Sequence, residues 1–264
     1  MRQRIQFCHT IDGVRVAYST VGSGPPLLKT ANWLSHIEHD WHSPVWRHWF
    51  ESLAQRYTLI RYDQRGCGLS DWNVSDFSLE TWLLDLAAVV NAVGLERFAL
   101  IGLSQGGAVS IAYAHRYPEK VTHLALYGTY ARGRTKRDLT NEQRQETRML
   151  IKLIRLKWGK ENLAFRQLFT TLFIPEGSLE QLQWMNDLQR VSTSPENAAK
   201  IVSGFDAIDI TDLARHISVP TLILHVKDDA RIAFEEGRFL YYAHIRQTGC
   251  DQPAESPECR YGIG

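Results

Sequence analysis

The sequence predicts an α/β fold: a mostly parallel central sheet with helices on both faces and a helical insertion after the sixth strand. Three observations carry this. Short apolar runs alternate with helical segments, as a parallel sheet covered on both faces requires. The pentapeptide Gly102-Leu103-Ser104-Gln105-Gly106 lies between one such run and a helix of small residues. From about residue 129 to 205 the alternation stops, and the chain is helical and mixed polar-aromatic with no convincing strand.

In chain order, Ile5 to His9 and Val14 to Thr20 flank Ile11-Asp12-Gly13 and read as an opening hairpin whose Asp-Gly supplies the turn. Pro26 to Lys29, Tyr57 to Tyr62, Phe98 to Ile101, Val121 to Tyr127 and Val219 to His225 are the apolar runs of the parallel part. Leu83, Leu86, Ala87, Val90 and Val93 recur at helical spacing, with Ser78 as the cap before them and Gly94 closing the helix. Gly107 to Tyr117 reads as a helix ended by Pro118. The division expected is therefore a core of residues 1–128 and 206–264 with a helical cap over 129–205. Within that cap, Trp158, Phe165, Leu168, Phe169, Leu172, Phe173 and Trp184 supply more apolar surface than solvent-facing helices need. Core is the reading for most of them, with two or three lining a pocket. The basic run Arg132-Gly133-Arg134-Thr135-Lys136-Arg137 reads as a solvated connection.

Composition narrows the function classes. With 44% hydrophobic and 22% charged residues the chain is ordinary in balance and long enough for one sizeable core. A formal charge of +1 gives no reason to expect nucleic acid or an anionic membrane as partner, so a small-molecule substrate fits better. No run approaches the length needed to cross a bilayer, and a cytoplasmic location is the default expectation. Four cysteines do not make a disulfide scaffold in a chain of this size, and Cys8 and Cys67 are expected as free thiols.

The pentapeptide carries the chemistry. A serine on a tight turn from a buried strand into a helix, flanked by glycines, is a nucleophile elbow. Gly102 and Gly106 remove side chains where strand and helix approach most closely, and the helix N-terminus favours negative charge developing at the site.

With the elbow, the alternating strands and the helical insertion together, the chain resembles the α/β-hydrolase superfamily over roughly residues 5 to 236. Asp63-Gln64-Arg65-Gly66-Cys67-Gly68-Leu69-Ser70-Asp71 is similar to that superfamily's D-x-R-G-x-G-x-S-D loop, with Asp63 and Arg65 expected to hydrogen-bond within it. Leu27 to His36 occupies the place of the oxyanion loop, where Ala31-Asn32 stands for the usual His-Gly. Asn tolerates a left-handed backbone, so the loop is expected to turn there and present the Trp33 N–H, with the Gln105 N–H as second oxyanion donor. The stretch Trp33 to Trp41 resembles a subgroup of bacterial hydrolase-fold domains that also occur fused to transcriptional regulators and nucleotide cyclases. Its His36, Glu38, His39 and Asp40 lack the spacing of a metal motif, and neither metal nor cofactor is expected.

The resemblance places the triad acid at Asp229, four positions after His225 at the end of a late strand, with Asp228 as the alternative. The base is harder to place. The position expected for it, 25 to 30 residues past the acid by the resemblance, falls on Ala254 to Cys259, which contains no histidine. His244 is the one histidine after His225 and is the candidate base. From about Arg238 the chain shows neither period, and the expectation is that the last strand is missing or altered and that the end is truncated or out of its original frame. The function implied is a serine hydrolase, foremost a carboxylesterase acting on small to medium esters through an acyl-enzyme. A ligand-binding or sensor domain of weak turnover and a carbon–carbon bond hydrolase remain open. Oligomeric state is not legible.

Overall fold

A computed structural model of the chain describes residues 1–160, 163–229 and 231–248. Seven strands form one sheet: β1 (Arg4–His9), β2 (Arg15–Val21), β3 (Pro26–Lys29), β4 (Thr58–Tyr62), β5 (Phe98–Leu103), β6 (Val121–Tyr127) and β7 (Thr221–Leu224). Their spatial order is β1-β2-β4-β3-β5-β6-β7. The hairpin β1–β2 and the β2–β4 pair are antiparallel, and every pair from β4 to β7 is parallel. Asp12-Gly13 turns the hairpin, Gly13 taking φ 86°, so that His9 faces Arg15 across the ladder.

Ten helices accompany the described strands: α1 (Ile37–Asp40), α2 (Arg47–Ala54), α3 (Leu79–Val93), α4 (Gln105–Arg116), α5 (Asn141–Lys157), α6 (Leu163–Thr171), α7 (Leu179–Ser192), α8 (Pro195–Asp206), α9 (Thr211–Ala214) and α10 (Phe234–Thr248). None is long and apolar enough to cross a membrane. The caps read from sequence are present on α3. The Ser78 side chain accepts the Thr81 N–H, and Gly94 ends the helix in the left-handed region. Residues 141–206 are helical throughout their described part apart from short connections, and α5 and α7 each begin with a full capping box, Thr140 with Gln143 and Ser178 with Gln181.

The main core joins the sheet to α3, α4 and the helices of 141–206. Trp82, Leu86, Val89, Leu100 and Ile111 are essentially without solvent contact within it. Of the seven aromatic and leucine residues singled out in the helical segment, Trp158, Phe165, Phe169 and Trp184 are buried, Leu172 and Phe173 line a cavity, and Leu168 is exposed.

Two expectations change. The texture from Arg238 onward was expected to be irregular, yet α10 runs to Thr248, with Leu240 and Ala243 buried at helical spacing. The remaining tail, with Cys250 and Cys259 and the altered-strand expectation, lies outside the described residues. Asp63 and Arg65 are structural, but Arg65 reaches beyond its own loop. Its guanidinium pairs with Asp85 of α3 at 2.9 Å and with Asp12 of the hairpin turn at 2.7 Å. The Asp63 carboxylate accepts the Leu69 N–H inside the loop and the Ile37 N–H outside it, both at 2.9 Å.

Candidate active site

Ser104 stands at the turn between β5 and α4 with φ 49° and ψ −127°, the one non-glycine residue of positive φ among the described residues. Such a backbone costs on the order of 1–3 kcal/mol and persists only where its surroundings determine it. Here they do. The Ser104 N–H donates to the Tyr127 carbonyl at 3.1 Å, and the Ser104 carbonyl accepts from the Gly107 N–H at 3.0 Å and the Thr129 hydroxyl at 2.5 Å. The glycines have distinct duties. A Cβ on Gly102 would come within 2.5 Å of both Gly107 Cα and the Ser110 hydroxyl, and one on Gly106 within 2.6 Å of the Ala31 carbonyl. Gly106 thus lets α4 lie directly against the loop after β3. Gly106→Ala is expected to displace that loop and, if the Trp33 N–H is the oxyanion donor expected from the sequence, to lower kcat about 10²-fold with a smaller change in KM; parallel kinetics on wild type and variant check it.

The elbow opens into a cavity of about 380 Å³ that Ser104, Gln105, Trp33 and Asp229 line together. That volume suits a small to medium ligand. Neither the Trp33 nor the Gln105 backbone N–H is spent on an acceptor among the described residues. Gln105 opens α4, where the first N–H groups of a helix have no partner within it. The loop does not turn through a left-handed Asn32, which is a correction to the sequence reading. Asn32 acts through its side chain instead: its carbonyl oxygen accepts from the Lys29 ammonium at 2.5 Å and its amide donates to the Trp33 carbonyl at 3.3 Å. The Trp33–Leu34 peptide is cis. Lys29 is buried, and desolvation pulls its pKa down to about 8, against the attraction of Asp40.

The Trp33 ring fixes the loop from the other side. It stacks on Trp158 at a centroid distance of 5.2 Å and meets Phe169, Phe173 and Phe205 at 5.3, 6.1 and 5.7 Å. Below the loop, burial pushes the Asp63 carboxyl up to about 7 and the Cys67 thiol up to about 12, so Cys67 is an inert thiol. The His36 to Asp40 cluster serves local structure. His36 Nδ1 accepts the His39 N–H at the start of α1, and the His39 ring stacks on Trp184.

Asp229 lies on the loop after β7. One of its carboxylate oxygens accepts the Arg231 and Ile232 N–H groups at 2.7 and 2.9 Å. Asp228 also borders the cavity, but it is exposed. His225 is turned away, its Nε2 at 2.9 Å from the Ile232 carbonyl.

His244 is not brought to Ser104. It sits in a separate apolar slot with Ile111, Leu124, Leu126 and Ile217, and burial lowers its pKa. Ile111 lies about 10 Å along α4 from the elbow at 1.5 Å per residue. The reason is topological: α10 packs against α9 and β7, which sets His244 beside the middle of α4 rather than its N-terminus. The chain's ten histidines are all among the described residues, and none lines the cavity.

The cavity also takes in part of the run read from sequence as a solvated connection, together with residues not singled out there. Arg134 and Arg137 of the basic run line it, as do Arg231, Tyr130 and Asp206. A run of arginines leaving the end of a strand that flanks the elbow was the available signal.

A strained serine between a strand and a helix N-terminus thus faces a partly enclosed cavity. The family model described as alpha/beta hydrolase fold matches residues 37–233. The chain belongs to that family. It is 31% identical over 164 residues to an uncharacterized protein of Mycobacterium tuberculosis, a match covering 62% of this chain and 43% of the relative. The chain thus spans less than half the length of that relative. It is 29% identical over 220 residues to a putative carbamate hydrolase, RutD, of Azorhizobium caulinodans, covering 81% of this chain and 77% of the other. Among solved structures, an esterase from Exiguobacterium antarcticum superposes with a TM-score of 0.78 at 24% identity, over 90% of this chain and 87% of that one.

Proposed function

We propose that the protein is a serine hydrolase of slow turnover that cleaves small to medium carboxylic esters with an apolar acyl portion. The observation that carries this reading is Ser104 in its strained turn, opening into one cavity with Trp33, Gln105 and Asp229. Ser104 Oγ attacks the ester carbonyl, its proton passes to solvent, and the Trp33 and Gln105 N–H groups hold the tetrahedral oxyanion. Collapse expels the alcohol and leaves an acyl-serine, which water then hydrolyses. Asp229 supplies a carboxylate beside the site. The apolar walls contributed by Leu172, Phe173, Ile174 and Leu188 suit an alkyl acyl chain. Cleavage of a carbon–carbon bond in a diketone would use the same parts.

Slow turnover is expected because no histidine among the described residues lines the cavity. In a complete triad the histidine takes the serine proton, and its loss in a serine protease costs about 10⁶ in kcat while about 10³–10⁴ of catalysis over water survives from oxyanion hole and binding. That absence is also the observation favouring a second reading, a ligand-binding or sensor domain built on the same cavity.

The test is hydrolysis of p-nitrophenyl butyrate by wild type and Ser104→Ala from pH 5 to 9. The difference between the two is expected to rise about tenfold per pH unit, as a hydroxide-limited reaction does, without the plateau above about 6.5 that a titrating imidazole imposes. A plateau of that kind would show that a histidine acts at Ser104. Equal rates in both proteins would leave the binding reading.

A further inference from the structure

Three arginines line the cavity, Arg134, Arg137 and Arg231, and Arg132 shares an acid with one of them. Their partners are unevenly distributed. Arg132 and Arg137 share the buried Glu236 at 2.8 and 3.6 Å. Asp229, one of the acids of the lining, already receives two backbone N–H groups on one carboxylate oxygen. Arg134 and Arg231 make no side-chain hydrogen bond and no ion pair among the described residues, although both line the cavity. Arg231 lies over the Phe173 ring, 5.0 Å from its centroid, which aims a planar guanidinium along the cavity wall. Asp206 and the exposed Asp228 are the other acids of the lining. Asp206 is 6% exposed, and no arginine among the described residues comes within ion-pair distance of it.

Two guanidiniums without a hydrogen-bonded partner among the described residues therefore border a partly enclosed cavity whose lining also holds Asp206, Asp228 and Asp229. A neutral or cationic ligand would leave both guanidinium forks to water, whereas an anion with two oxygens supplies them with acceptors. A carboxylate answers both, because its geometry matches the guanidinium fork. Burial, with Arg134 adding to it, pulls Arg231 down to about 10, against the attraction of Asp206 and Asp229.

We infer that the cavity selects an ester whose acyl chain ends in a carboxylate, with Arg134 and Arg231 holding that terminus while Ser104 meets the ester carbonyl. This rests on the hydrolase reading for its chemistry but not for its binding. Acyl transfer to water balances: Ser104 Oγ bonds to the ester carbonyl carbon as methanol leaves, and water then cleaves acyl-Ser104 to give the dicarboxylate and the free serine.

Two probes of similar length separate the possibilities, monomethyl adipate and methyl hexanoate, with product release followed for wild type, Arg134→Gln and Arg231→Gln. Wild type is expected to favour monomethyl adipate at least about tenfold in kcat/KM, and each arginine variant to reduce that ratio by about tenfold, the loss typical of one charge-assisted pair. A wild-type ratio at or below one, with methyl hexanoate cleaved in a Ser104-dependent way, overturns the inference and leaves the hydrolase reading standing. Titration calorimetry with adipate provides a readout independent of turnover. Ser104→Ala is expected to bind adipate, and the same protein carrying Arg231→Gln to bind it at least about tenfold more weakly. If neither ester is cleaved, the hydrolase reading fails and calorimetry alone decides: no adipate binding, or binding indifferent to both arginines, overturns the inference.

Discussion

Replacing Trp33 with alanine is expected to destabilise the protein by about 3–5 kcal/mol, the cost of truncating a large buried aromatic. Trp33 is 6% exposed, and its ring touches Trp158 of the α5 C-terminus, Phe169 of α6, Phe173 beyond it and Phe205 of α8. The indole is thus the peg on which the helical segment hangs over the sheet. Its backbone N–H is at the same time the proposed oxyanion donor, so packing in the helices fixes the position of a group that acts at Ser104. Two readouts should move together. Urea unfolding should shift to a lower midpoint with little change in slope, and ester cleavage should fall about 10²-fold because the loop is no longer held in register. Trp33→Phe keeps most of the stacking surface and is expected to recover most of the stability. A loss below about 1 kcal/mol in Trp33→Ala would show that the cluster carries less than its burial implies.

Asp85→Ala is the second large change, expected to cost about 3–5 kcal/mol. Asp85 is fully buried on α3, where one carboxylate oxygen accepts from the Arg65 guanidinium and the other from the Arg65 backbone N–H, each at 2.9 Å. Burial pushes the Asp85 carboxyl up to about 6 even with Arg65 beside it. Forming the pair therefore contributes little net stability, but removing one member leaves a buried guanidinium and a backbone donor short of their acceptor. The same guanidinium binds Asp12 at the hairpin turn, where its hydrogen bonds hold that carboxyl down to about 2. Arg65 thereby ties the hairpin, the loop after β4 and α3 at one point. Chemical denaturation of Asp85→Ala against wild type checks the figure.

These two sites show where sequence reading succeeds and where it stops. The strands were legible because apolar runs and turn residues are local signals, and so were Ser78 and Gly94 at the ends of α3. The elbow was legible because its glycines answer a close approach that any strand–turn–helix of that shape must make. Arg65 was recognised as structural, yet its partner Asp85 lies 20 residues away in a helix whose period announces only its apolar face. Asn32 was expected to use its tolerance of a left-handed backbone and uses its side-chain amide instead, a choice that depends on the buried Lys29 beside it. Arg134 and Arg137 read as a solvated run because charge in a connection has no periodicity to say which way it faces. His244 was the candidate base by elimination, and only the packing of α10 places it in its apolar slot.

The most direct measurement is the identity of the acylated residue. Wild-type protein incubated with p-nitrophenyl acetate, quenched in acid and mapped by peptide mass spectrometry should carry a single acetyl group on Ser104, accumulating slowly and absent from Ser104→Ala. Acetylation elsewhere with Ser104 unmodified, or no adduct at any pH at which the protein remains folded, would mean that the strained serine is a feature of the fold and not a nucleophile.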